Sequence, residues 1–169
     1  VSTSMATDEG LSRQLPPPIR KEQKIEKVDI KPRNIMTILV NSNDELMVNG
    51  NVISLNELKE KAKEFIANPS DDPSLPEKET IQVPYFGNYA VTKQHVISLQ
   101  NDRGTDYWAY IAVQNELVAA YDELRNEISK SKFGKNFDDL DSDEQSAVKK
   151  IYPQKISEAE PKNYGGGNN

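Results

Sequence analysis

Residues Val96 to Ile128, VISLQNDRGTDYWAYIAVQNELVAAYDELRNEI, decide the fold. They open with a strand-forming run, break at Asn101-Asp102-Arg103-Gly104, and then set Tyr110, Val113, Leu117, Tyr121, Leu124 and Ile128 at steps of three and four. That spacing belongs to a helix burying one face. Phe133-Gly134 supplies its glycine stop. A strand, a polar turn and a covering helix form the basic unit of an α/β layer. Polar side chains at such a turn either act chemically or merely cap the helix, and the stretch alone leaves both open.

Working outward, Asn34–Asn41 (NIMTILVN) is the strongest strand signal. Ile35, Thr37 and Leu39 share one face and Met36, Ile38 and Val40 the other, so a central strand covered on both sides is expected. Ser42-Asn43-Asp44 turns the chain into a second strand, Glu45–Val48. Asn49-Gly50 fits a tight turn needing positive φ, and Val52 and Ile53 close the meander. Ser54-Leu55-Asn56-Glu57 reads as a capping box, starting a helix that runs to about Ala67 with Leu55, Leu58, Ala62, Phe65 and Ile66 on one face. Residues Ser70 to Pro84, polar and proline-bearing, read as a long loop, and Tyr85, Phe86 and Tyr89 as that loop's own packing. Ile97 and Leu99 would face the first helix. Beyond Gly134, Ser142 and Gln145 fit the cap of a third helix bearing Ala147, Val148 and Ile151, and residues 154–159 a last strand.

The expected architecture is α+β: a two-layer sandwich of a small mixed sheet with helices on one face, and an extended N-terminal tether. The domain spans 34–160, with residues 1–33 as tether and the Gly/Asn-rich 161–169 as a disordered tail. Pro16, Pro17 and Pro18 favour an extended chain in the tether. Its charged stretch up to Pro32 reads as a solvated link or a short edge strand.

Composition narrows the function. A net charge of −6 and no basic stripe interleaved with aromatics argue against nucleic acid. With no cysteine there are no disulfides, thiolate metal sites or thiol nucleophiles. No window approaches the roughly 18 apolar residues of a membrane helix. The single histidine, His95, sits at a strand edge with no serine in a nucleophile elbow. No phosphate-binding glycine loop or His/Cys metal spacing occurs. Asp138, Asp139, Asp141, Asp143 and Glu144 lack the glycine and spaced glutamate of a calcium loop, so capping and solvation explain them better. No catalytic group, cofactor or metal is expected.

Three motifs carry a resemblance: Asp102-Arg103 with Tyr107 four residues on from the arginine, Asp44–Gly50 with its Asn49-Gly50, and Leu15-Pro16. In that order and spacing the chain, over roughly Leu11 to Ala159, resembles the ExbD/TolR family of energy-transducing proteins. The resemblance implies a periplasmic domain tethered to the inner membrane by one helix upstream of Val1, and a homodimer. It implies partners too: an ExbB-like channel subunit and a TonB-like protein, with peptidoglycan as the ligand in a TolR-like role. Small family members lack the enlargements at about 70–94 and 135–152. The apolar sheet face of Met36, Ile38 and Val40 needs one of three covers: the first enlargement, a second copy, or a partner. Those three residues, with Leu15, Pro16, Lys155 and Ile156, are the expected partner contacts. Asp102 is expected to cap the long helix, Arg103 to pair at the turn, and Tyr107 to pack with its hydroxyl outward.

Overall fold

A computed structural model describes residues 30–158; Leu15, Pro16, most of the expected tether and all of the expected tail lie outside them. Among the described residues ten strands and α-helices follow one another: β1 (Ile35–Val40), β2 (Leu46–Val48), β3 (Asn51–Ile53), α1 (Leu55–Ala67), β4 (Glu79–Val83), β5 (Gly87–Val91), β6 (Val96–Asn101), α2 (Tyr107–Phe133), α3 (Ser142–Ile151) and β7 (Ile156–Glu158). Five strands form one mixed sheet in the order β3-β2-β1-β6-β7, and β4 and β5 form a separate hairpin. β1 pairs parallel with β6 and antiparallel with β2, while β6 pairs parallel with β7. This is the expected two-layer α+β fold.

Register decides which face of the sheet is closed. Met36 lies opposite Ile97, and Ile38 lies between Leu99 and Val48. All five are buried with Leu58, Phe65, Tyr110, Val113, Leu117 and Tyr121 in one core. Burying each such side chain contributes roughly 1.5–3 kcal/mol. Met36, Ile38 and Val40 are therefore core beneath the helices, not a partner surface. The side of the sheet left open is that of Ile35, Thr37 and Leu39, all only partly buried.

The meander turns at Asn49 (φ 50°) and Gly50 (φ 88°), the left-handed pair the sequence called for. Helix α1 starts at the Ser54–Glu57 capping box, and α2 ends at Gly134 in left-handed geometry (φ 73°). Helix α3 is capped one residue earlier than expected. Asp141 accepts the Glu144 amide, Glu144 reaches back to Asp141, and the Gln145 side chain donates instead to the Phe137 carbonyl.

The segment expected as a long loop contains β4 and then turns into β5. Val83 and Val91 pack on Ala147 and Ile151, with Ile81, Phe86, Tyr89, Ile128 and Tyr152 around them. The β4–β5 hairpin is thus committed to a second small core with α3 and the far end of α2. It does not serve as a lid on the open sheet face.

Two cross-links hold the helices. Lys59 and Lys63 of α1 meet Glu123 of α2 at 2.5 and 3.0 Å, and Lys63 also reaches Glu127 at 2.9 Å. The hydrogen bond to Glu127 leads in raising the Lys63 pKa above its ordinary value, and burial opposes it. Between Glu123 and Glu127 in sequence, the Arg125 guanidinium donates twice to the Tyr152 carbonyl, at 3.1 and 2.9 Å, and lies over the Phe137 ring.

Candidate functional site

β1 and β6 are parallel neighbours, so the turns that follow them emerge side by side. Buried Asp102 accepts the Ser42 amide on Oδ2 at 3.2 Å, and its own amide donates to the Val40 carbonyl at 3.1 Å. The Thr105 hydroxyl lies 2.7 and 3.0 Å from the Val40 and Asn41 carbonyl oxygens. The Asp106 amide donates to Oδ1 of Asp44 at 2.9 Å. A side chain at Gly104 would bring its Cβ to 3.3 Å from that of Ser42, so the close approach favours glycine. Asp102 therefore stitches two turns together, and the residue at the helix N-cap is Asp106. A buried carboxylate facing a backbone N–H satisfies that donor where water does not reach it.

This stitched turn presents three side chains. Arg103 is exposed and makes no ion pair or hydrogen bond among the described residues, contrary to its expected pairing at the turn. Tyr107, 47% exposed, lies edge-on to Trp108 with ring centroids 5.2 Å apart; Trp108 is 71% exposed. Tyr107 thus packs on its neighbour and not into the core. Trp108 was missed by sequence reading, although a signal existed. It falls off the 110-113-117-121 stripe, and an aromatic off the buried stripe of a helix faces water.

The open sheet face carries Val52, Met47 and Leu39 in cross-strand register, continuing to Gln100; Thr37, Ser98 and Ser157 form a polar row beside it. Val52 is 60% exposed. At the turn of the meander, Asn49 exchanges hydrogen bonds with Thr37: its amide donates to the Thr37 carbonyl at 2.8 Å, and its Oδ1 accepts the Thr37 amide at 2.9 Å. Asn49-Gly50 therefore fixes strand register and sits far from the Asp102 turn.

Lys155 is exposed and Ile156 half-buried at the start of β7, which among the described residues pairs with β6 alone. The strand is anchored from inside. The Lys155 amide donates to the Tyr121 hydroxyl oxygen at 3.1 Å, and that hydroxyl lies 2.7 Å from His95 Nε2. His95 Nδ1 lies 2.7 Å from the Thr92 carbonyl, an acceptor, so Nδ1 carries the proton and Nε2 accepts from Tyr121. The Thr92 hydroxyl in turn donates to the Ile66 carbonyl. Burial pushes the His95 pKa down to about 4, aided by the Lys155 charge and opposed by the Thr92 hydrogen bond. Burial likewise pushes Tyr121 up. At the other end of β7, the Gln114 amide donates to Glu158.

His95 has both ring nitrogens engaged and no exposure, so it is a core linker and no base. Among the described residues no cluster of His, Cys, Asp or Glu could hold a metal, and no helix is long and apolar enough to cross a membrane. The arrangement offers surfaces to bind with, held by a buried polar scaffold.

A family model described as biopolymer transport protein ExbD/TolR matches residues 1–126. The chain belongs to the ExbD/TolR family. No curated protein matches it. Membership makes the chain a component of biopolymer transport by energy transduction, in a family of transport accessories. ExbD/TolR proteins are anchored in the inner membrane, carry periplasmic domains, and work with ExbB/TolQ-type and TonB/TolA-type proteins. The match stops within α2. The last part of α2, α3 and β7 thus lie past the matched segment, yet β7 belongs to the same sheet.

Proposed function

We propose that this chain is the periplasmic domain of an ExbD-like subunit. It would act as a homodimer with an ExbB-like channel subunit and pass the work of the proton-motive force to a TonB-like protein that drives transport across the outer membrane. The sheet carries this reading. Its helix side is closed, while its other side sets Val52, Met47 and Leu39 in a partly exposed apolar row. The strand β7, with Lys155 and Ile156 at its start, gives an edge at which an extended partner segment can add main chain to main chain. The anchoring of β7 on Tyr121 keeps that edge in place under load.

The test is a titration of isotope-labelled protein with the periplasmic segment of a TonB-type protein, beside sedimentation with purified peptidoglycan. Amide shifts at Lys155–Glu158 and along Leu39, Met47 and Val52, with no co-sedimentation, are expected. Co-sedimentation with peptidoglycan and silent amides would overturn the reading in favour of a TolR-like envelope module.

A further inference from the structure

We infer that Arg103, Tyr107 and Trp108 select the partner segment, favouring an extended peptide that carries a carboxylate two residues before an aromatic residue, on the same side of the strand. The inference deepens the proposed function and rests on β7 as the accepting edge. Its geometry comes from α2. Gln114 touches Glu158 of β7, and Tyr107, seven residues earlier, lies on the same face of the helix. The head of α2 therefore stands just past the level where β7 ends, opposite Leu99. A peptide strand alongside β7 that runs on beyond Glu158 meets this head next.

What it meets is suited to recognition. Two exposed aromatic rings give contact area with few torsions to freeze, and an exposed guanidinium without an ion pair among the described residues offers a paired fork to a carboxylate. The support is rigid: Asp102, Thr105 and Asp106 tie the turn to Val40, Ser42 and Asp44. A preformed site loses little freedom on binding. Exposed Asp44 and Asp106 share this turn, so the preference for a carboxylate rests on the paired fork of Arg103 and not on a broad positive patch.

The probes are a synthetic end-blocked pentapeptide VEVYV and its twin VKVYV, titrated into the full chain. The amides of Lys155–Glu158 report strand addition; the indole N–H of Trp108, the only tryptophan, reports the recognition site. VEVYV should move both sets and bind at least about fivefold more tightly than VKVYV. Arg103→Glu should reverse that order, and Trp108→Ala should weaken VEVYV while β7 shifts persist. Equal binding of the twins with a silent indole overturns the inference and leaves strand addition standing. Silence at β7 and the indole alike overturns both. An indole signal that changes on removing residues 159–169, or with protein concentration alone, assigns the aromatic pair to the chain's own tail or to a second copy and overturns the inference.

Discussion

His95 makes the stability of this domain depend on pH in a calculable way. The ordinary value for histidine is 6.5, whereas burial among Thr92, Phe65 and Tyr121 brings His95 down to about 4. Between those values the unfolded chain binds a proton that the folded protein refuses. Stability from this group is therefore full above 6.5 and falls as pH drops toward 4. Below about 4 both states are protonated and the loss stops growing. The full difference is about 3 kcal/mol, of which about 2 kcal/mol falls between pH 7 and pH 5. Urea unfolding followed by far-ultraviolet circular dichroism at pH 7, 6 and 5 measures it. Carboxylates also titrate in this range, so His95→Gln supplies the baseline. The native protein should lose about 2 kcal/mol more than the variant between pH 7 and 5. Because the chain has one histidine, its ring proton resonance in untagged protein can be followed without assignment. A ring that titrates near 6.5 in the folded protein, or equal losses in protein and variant, would refute the reasoning.

Three further outcomes are expected. Tyr121→Phe removes the hydroxyl shared by His95 and the Lys155 amide, leaving buried groups unpaired; a loss of about 2–3 kcal/mol in chemical denaturation is expected, with faster amide exchange at β7. Ser129 is buried and its hydroxyl has no hydrogen-bond partner among the described residues, so Ser129→Ala should raise stability by up to about 1 kcal/mol, and a lower denaturation midpoint would contradict this. Glu123→Gln removes the carboxylate between Lys59 and Lys63 and should cost roughly 0.5–1 kcal/mol, less in high salt, as read by thermal unfolding at two ionic strengths.

The elements that the sequence revealed were those with one dominant local signal. The Ser54 capping box, the Asn49-Gly50 turn and the α2 stripe each depend on residues within one or two turns of each other. β1 is legible as a strand, but both its faces are apolar and a period of two cannot say which lies under the helices. The parallel register with Ile97 and Leu99 decides it, a relation between segments some sixty residues apart. β4 has little strand signal of its own, since Pro73, Pro76 and Pro84 surround it and only Ile81 and Val83 alternate. At the turn, Asp102 looked like a cap because it precedes a helix, but its carboxylate is claimed by Ser42 across the sheet. The His95–Tyr121 link joins residues that no local pattern connects.

The parallel pairing of β1 with β6, and of β6 with β7, has a mechanical meaning. Tension entering at the Ile30 end of β1 and leaving at the far end of β7 runs along the strands, so it loads the six paired positions of β1–β6 and the three of β6–β7 in shear. In shear the hydrogen bonds of a ladder must give way together, whereas the antiparallel hairpin β4–β5, pulled from its two ends, opens one pair at a time. A domain strung along that line can pass on a pull without unravelling, while the hairpin, bound into the second core, stands outside the path of the force.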